Sequence, residues 1–397
     1  MVTALAALLA AALIVQVGAW GWLQAGWRRA GEAPAPGPAP EVPLSVVVAA
    51  RDEAPRLPRL LDALAAQTHA DAAGAPLFEV VVVDDRSTDG TAALVAARAA
   101  AFPAPLRLVR IAPGDAPETV YVPPDLWAEE AEVPLAPKKN ALTQGLRAAR
   151  HARAVLTDAD TAPPPTWLAA LARHAAPEGS DDGALLVGAG PLEAAPGWTN
   201  RFARYETTVT ALLSAAGIGH GRPWHGVGRN LSYPVALWRA ADGFAPSAGS
   251  LSGDDDLFVQ QVAARTDAPV RAVLDADAFV PSPAPPDARA FWRQKRRHSS
   301  GGVFYPPSVL RALGVFQASG LALWVGAPLL QLAFGVPWGW GLLAVRLLVQ
   351  RAVLGEVWDA LGAEADLRLW HPALDALYAG YQVVAAGLGL LPTPKRW

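Results

Sequence analysis

The sequence predicts an α/β domain on a parallel sheet with covered faces, set between apolar helices at the two ends of the chain. Three observations carry this. Unbroken β-branched runs alternate with helical stretches through the middle of the chain. Acidic clusters close several of those runs. The 397 residues are 52% hydrophobic with a mean hydropathy of +0.21, and the excess lies at the termini.

Residues 1–27 carry no charge and are mostly Ala, Leu, Val and Trp, enough for one transmembrane helix. Arg28 and Arg29 follow at once, and the positive-inside rule then puts the next segment on the cytoplasmic side. No basic stretch precedes the apolar run, which argues against a cleaved signal peptide. Trp20, Trp22 and Trp27 suit an interfacial belt. Residues 28–43 read as a Pro/Ala/Gly linker, 44–300 as the α/β domain, and 301–397 as a C-terminal membrane region of two or three hydrophobic helices. In that last region Ala312 to Val345 is apolar but contains Pro328 and Pro337, so it reads as a span plus a re-entrant piece or as the start of two. Arg346 and Arg351 make the next stretch a doubtful span, and 373–392 reads as a last one, followed by Lys395-Arg396-Trp397. A net charge of −3 gives no case for a nucleic-acid partner, and the absence of cysteine excludes disulfides, thiolate metal sites and cysteine nucleophiles.

Leu44–Ala50 is the first buried strand, ended by Arg51-Asp52-Glu53. Pro55–Gln67 is an amphipathic helix with Leu57, Leu60, Leu61 and Leu64 on one stripe. Phe78–Val83 is the second strand, ending in Asp84 and Asp85; Ser87, Thr88 or Asp89 then caps a helix over Ala92–Ala101. Leu106–Ile111 is a third strand, and residues 112–136, Pro-rich and without periodicity, read as a surface loop. Pro137-Lys138-Lys139 opens a helix whose two lysines oppose its dipole unless an anion sits nearby. Ala154-Val155-Leu156 leads into Thr157-Asp158-Ala159-Asp160. On an extended chain the two carboxylates point the same way, an arrangement that a divalent cation holding a diphosphate would offset. In parallel sheets ligands sit at the carboxyl ends of strands, and three acidic clusters fall there.

Ser-Val-Val-Val-Ala-Ala-Arg-Asp-Glu, Val-Val-Val-Asp-Asp-Arg-Ser-Thr-Asp-Gly-Thr, Lys-Lys-Asn-Ala-Leu-Thr-Gln-Gly and Thr-Asp-Ala-Asp, in that order, resemble the family 2 glycosyltransferases. Gly226-Val-Gly-Arg-Asn230-Leu-Ser-Tyr233 is similar to that family's acceptor-side segment, Ser252-Gly-Asp-Asp-Asp-Leu257 to its Glu-Asp-x-Asp-Leu element, and Gln294-Lys-Arg-Arg-His298 to the Gln-x-x-Arg-Trp element of membrane-embedded members. The likeness spans residues 44–300. It implies the GT-A fold, a nucleotide-sugar-binding, Rossmann-like mixed sheet, flanked here by transmembrane helices.

The resemblance also implies roles. Asp84 or Asp85 contacts the nucleoside, with Asp52 and Glu53 on the same rim. Lys138 lies near the donor phosphates, Lys139 being the lesser neighbour. Asp158 and Asp160 bind the nucleotide sugar and its Mg²⁺ or Mn²⁺, Asp160 more directly. Asp254 is the catalytic base when Leu257 anchors the register, with Asp255 the alternative. Gln294 and Arg297 form the exit side. His298 stands where processive synthases carry Trp, which argues against long-chain synthesis. The implied activity is a membrane-bound, metal-dependent, inverting transfer of sugar from a nucleotide diphosphate sugar, expected as a UDP-sugar, to a lipid or other membrane-associated glycan acceptor. Such an enzyme would be integral to a plasma membrane (a bacterial inner membrane) with its catalytic domain in the cytoplasm. The alternatives are a processive polysaccharide synthase, a nucleotidyltransferase lacking the Gly-rich phosphate loop it would need, and a catalytically silent scaffold or transport component. A second Asp-Ala-Asp, Asp275 to Asp277, is read as a decoy.

Overall fold

The computed structural model describes residues 1–32, 40–122, 131–176, 183–299, 301–363 and 365–389; residues 33–39 of the expected linker and the terminal Lys395-Arg396-Trp397 lie outside them. The chain divides into two compact units that do not follow a simple linear order. One gathers Met1–Arg29, Leu192–Gly219 and the described residues from Ala284 to Gly389; the other holds the described parts of Ala30–Pro191 together with His220–Pro283.

The second unit is α/β. Its elements are β1 (Leu44–Ala50), α2 (Leu57–Ala65), β2 (Phe78–Asp85), α3 (Thr91–Ala99), β3 (Leu106–Ile111), β4 (Thr119–Val122), β5 (Ala131–Pro134), α4 (Pro137–Ala148), β6 (Arg153–Asp158), α5 (Trp167–Ala175), β7 (Leu185–Gly188), β8 (Leu231–Pro234), α7 (Val235–Ala240), α8 (Asp256–Arg265) and β9 (Val270–Val273). The helices α1 (Val2–Gly31) and α6 (Trp198–Gly219) belong to the other unit. Seven strands form one sheet in the order β3-β2-β1-β6-β8-β7-β9. β1, β2, β3 and β6 run parallel, β8 runs antiparallel to β6 and β7, and β9 is parallel to β7. The sheet is therefore mixed, as the family likeness implied and as crossover spacing alone could not reveal. All residues of β1 and β2 are buried, as their β-branched composition requires of strands covered on both faces. On one face the Leu57, Leu60, Leu61 and Leu64 stripe joins Trp167, Leu168 and Leu171 of α5 in the main core. On the other, α4 lies so close that a Cβ on Gly145 would come 2.4 Å from the Val47 side chain.

Register aligns the rim. Ala50 pairs with Asp84, Asp84 with Arg110, and Ala49 with Asp158. Because β8 is antiparallel, the loop entering it, Gly228-Arg229-Asn230, comes to the same end as Asp158. Two local expectations change. Thr119–Val122 and Ala131–Pro134 pair as an antiparallel ribbon inside the segment read as loop, since Thr-Val-Tyr-Val has strand-forming side chains that periodicity over four residues does not register. The cap residue of α3 is Gly90 at φ 92°, while Asp89 accepts from the Thr91 N–H at 3.0 Å.

The helical unit holds α1 (Val2–Gly31), α6 (Trp198–Gly219), α9 (Ala288–Ser299), α10 (Pro307–Phe334), α11 (Gly339–Ala360) and α12 (Ala365–Gly389). Pro328 is accommodated inside α10; the helix ends at Gly335, left-handed at φ 65°, so the apolar region divides between two helices. Among the described residues two helices, α1 and α10, are long and apolar enough to cross a membrane. The helix expected from 373 begins at Ala365, includes Asp366, Arg368 and Asp375, and is not one of them. Gly326 lets α10 approach α1: a Cβ there would sit 2.6 Å from Leu9. Arg346 and Asp375 form a buried ion pair, to which Gln350, Tyr205 and Trp324 donate or bridge. Leu332, Leu348, Leu369 and Val383 face outward from the same unit.

Candidate active site

The rim of the α/β unit is built around Lys138. As the second residue of α4 its ammonium reaches Asp158 Oδ1 at 3.0 Å and Asp254 Oδ2 at 2.8 Å. One side chain thus joins the end of β6 to the acidic run before α8. Lys139 points elsewhere: fully buried, it donates to the carbonyls of Ser247 and Ser250, and burial lowers its pKa to about 8. It pins the loop that leads to Asp254.

Asp160 does not lie on the strand. β6 ends at Asp158 and residues 159 and 160 turn, with Ala159 buried beneath. The two carboxylates nevertheless interact: burial raises the Asp160 pKa first, repulsion from Asp158 adds to it, and Arg229 and Arg56 oppose both. Glu53 joins this group, its pKa raised by burial and by Asp160 and Asp158 against the Arg56 pair at 3.3 Å. Among the described residues no three of His, Cys, Asp and Glu converge as a ready metal cage. A divalent ion at Asp158 and Asp160 would draw its remaining ligands from phosphate and water oxygens, which suits Mg²⁺ or Mn²⁺. The raised Asp160 carboxyl is the observation that fits: a cation there would relieve its repulsion with Asp158.

The three acids before α8 have different environments. Asp254 is buried against Lys138. Asp255 accepts from the Gly228 N–H at 3.0 Å through one oxygen and the Asp256 N–H at 2.8 Å through the other. Its pKa is pushed up to about 7 by burial and then by Asp256 and Asp254. Gly228 lies close against them: a Cβ would lie 3.2 Å from Asp255 Oδ2 and 3.4 Å from Asp254 Oδ2. Gly253, at φ 93°, makes the turn that presents them.

Asp52 is engaged within the protein. Left-handed at φ 54°, it accepts from the Thr88 N–H at 2.7 Å, while its own N–H donates to Ser87 Oγ at 2.9 Å. Glu53 and Ala54 donate to Thr91 Oγ1 and Asp89, so the loops after β1 and β2 are laced together. Asp84 accepts from the Ser87 N–H at 3.3 Å and lies 3.9 Å from Arg110. Asp85 is fully buried, pairs with Arg86 at 2.9 Å and has its pKa raised by burial; its Oδ2 accepts no hydrogen bond. Gln294 and Arg297 lie on α9, in the helical unit. The second Asp-Ala-Asp is neutralised locally: Arg173 lies 3.6 Å from Asp275 and 3.7 Å from Asp277.

Two rim residues had no role assigned from sequence. Arg229 donates to Ser282, and Gly190 leaves it room, since a Cβ there would be 2.5 Å from its Nε. Asn230, fully buried, donates to Ala189 and Ala278 at 2.8 Å each and accepts from Trp167 Nε1 at 3.0 Å. The sequence signal for both was the Gly-rich entry into β8.

The family model "Glycosyl transferase family 2" matches residues 45–112, and "Glycosyl transferase family group 2" matches residues 155–361. Among solved structures the chain is similar to a mannosyltransferase from Pyrobaculum calidifontis, determined with GDP-Man and Mn²⁺, at 21% identity and TM-score 0.56, covering 98% of this chain and 99% of that one. It is also similar to residues 1–349 of S. aureus TarS, at 17% identity and TM-score 0.41 over 86% of this chain and 92% of that one. No curated protein matches it by sequence.

Proposed function

The chain belongs to the family 2 glycosyltransferases, enzymes on the GT-A fold, and from that premise we propose a metal-dependent, inverting transfer of sugar from a nucleotide diphosphate to a hydroxyl of a lipid or membrane-associated acceptor. The observation that carries the reading is Lys138, joined at once to Asp158 and Asp254. In this reading Asp158 and Asp160 hold the donor's cation, Lys138 neutralises its phosphates, and Asp254 accepts the acceptor's proton. The acceptor oxygen bonds to the anomeric carbon as that carbon's bond to the diphosphate breaks from the opposite face, inverting the configuration. Mg²⁺ or Mn²⁺ supplies Lewis-acid neutralisation of the leaving diphosphate.

Asp255, satisfied by two backbone N–H groups, is the support that aims Asp254. Asp84 or Asp85 meets the nucleoside, Glu53 shares the rim with Asp160, and Asp52 shapes the loops beneath. Gln294 and Arg297, on α9 of the helical unit, offer an amide and a guanidinium, the latter suited to two-point contact with phosphate oxygens. Membrane attachment is supported by α1 and α10. Arg28 following α1 supports a cytoplasmic side for the α/β unit by the positive-inside rule.

The test is release of nucleoside diphosphate by the purified full chain with Mn²⁺ and a panel of UDP- and GDP-sugars. At least one donor is expected to be turned over, with Asp160→Asn abolishing the metal-dependent rate and Asp277→Asn leaving it near wild type. Release from no donor would sink the proposal, and the reverse mutant pattern would move the metal site to the second Asp-Ala-Asp.

A further inference from the structure

Several cations of the rim are already matched. Lys138 is shared between Asp158 and Asp254, Arg56 lies 3.3 Å from Glu53, and Arg86 lies 2.9 Å from Asp85. Arg51 is 3.9 Å from Asp85, and Arg110 is 3.9 Å from Asp84. Arg229 differs. Among the described residues no carboxylate lies within 4 Å of it, yet its charge acts on Asp160. Transfer makes a demand on such a group. When the sugar's bond to the diphosphate breaks, its electron pair stays on the phosphate oxygen, so the leaving group gains one negative charge. A cation held between two carboxylates answers that charge less well than one with none.

The fold holds Arg229 from three directions. Its neighbour Asn230 is fully buried with three hydrogen bonds, which fixes the backbone at the entry to β8. The side chain crosses Gly190, where a Cβ would come 2.5 Å from Nε and 2.9 Å from Cδ. Nη1 donates to the buried hydroxyl of Ser282. Ser282 follows Pro281, whose carbonyl accepts from the Ala162 N–H at 3.2 Å, two residues beyond Asp160. The segment that anchors the guanidinium therefore also anchors the turn that carries Asp160. Nε is sealed and Nη1 is used, but Nη2 has no partner among the described residues and keeps access to solvent. Arg153, by contrast, is fully buried and spends its Nη2 on the Ala184 carbonyl, as a purely structural arginine would.

We propose that Arg229 binds the donor's diphosphate, with Nη2 on the phosphate that carries the sugar and leaves with the nucleotide. The proposal rests on the reading of Asp158 and Asp160 as the cation site. Lys138 and Arg229 then approach the phosphates from two loops, one tied to the acids and one with its charge unspent. The guanidinium is fixed before the donor arrives, so little ordering is needed when it binds.

The experiment is calorimetric titration of the detergent-solubilised full chain, in Mn²⁺, with UDP, UMP, GDP and GMP. For at least one base the wild type is expected to bind the diphosphate with Kd below about 100 μM. Against that diphosphate Arg229→Gln is expected to lose about tenfold in affinity, and against the matching monophosphate less than about twofold. Arg229→Lys keeps a charge able to make a one-point contact and should fall between the two. The monophosphate affinity also reports that the variants are folded. Full diphosphate affinity in Arg229→Gln overturns the proposal. An equal loss of diphosphate and monophosphate does so too, because it makes Arg229 a support of the loop. Both of these results leave the cation site standing, whereas a wild type that binds neither diphosphate takes that reading down together with Arg229.

Discussion

Asp254→Asn and Asp255→Asn should fail in opposite ways. An amide at 254 keeps the shape of the side chain, and Lys138 keeps Asp158 at 3.0 Å, so donor affinity should change by less than about threefold. What is lost is the proton acceptor, and removal of a positioned general base typically costs 10²–10⁴ in rate, about 3–5 kcal/mol of barrier. At 255 the balance reverses. The two carboxylate oxygens serve two different N–H groups, and an amide has only one acceptor oxygen to replace them. One N–H is left facing an NH₂ group in a buried place, at a cost of about 1–3 kcal/mol in stability. For a unit of this size that is a fall of about 2–10 °C in Tm. Donor titration, nucleoside diphosphate release and thermal unfolding measured together separate the cases. If Asp254→Asn retained a tenth or more of wild-type kcat while Asp255→Asn fell to background, the assignment of the base would be refuted.

Three other outcomes are expected. The Asp255 pKa is raised to about 7 by burial, so the stability it contributes is present below the ordinary carboxylate range and is lost as pH rises to neutrality; the Tm of the wild type should fall between about pH 4 and 7 and level off above, with a flatter profile for Asp255→Asn. Asn230→Leu strands the carbonyls of Ala189 and Ala278 and the Trp167 indole N–H, a loss of about 3–5 kcal/mol that should lower Tm by roughly 10 °C; an unchanged melt would remove Asn230 as the pin of the rim. In the helical unit Arg346→Met alone should destabilise by about 3–5 kcal/mol by leaving Asp375 buried without its cation, whereas Arg346→Met with Asp375→Leu should recover most of that in detergent melts.

What the sequence made legible follows from where physics acts locally. β1 and β2 announced themselves because strands covered on both faces must be apolar throughout, and their polar endings then marked the rim. The lysine pair announced only that something anionic lay near; the different directions of Lys138 and Lys139 follow from their angular offset on α4, which spacing to distant loops does not specify. Asp160 was read on a strand because Asp-x-Asp shares a face on extended chain, but the chain turns after Asp158. β8 was hidden in direction, since Leu-Ser-Tyr-Pro reads alike in either sense, and with it went the reach of Arg229 and Asn230. α6 was missed as a member of the hydrophobic unit, because Arg201, Arg204 and Glu206 give it the surface of an ordinary amphipathic helix; both arginines are matched instead by Asp366.

The lacing of Asp52, Glu53 and Ala54 to Ser87, Asp89 and Thr91 has a mechanical meaning. Two neighbouring crossings that share this many bonds cannot open one at a time, so whatever enters between them meets a single stiff lip. Variation that alters which nucleoside is admitted is then best sought in side chains leaning over that lip, because changes to the lip itself would deform both crossings together.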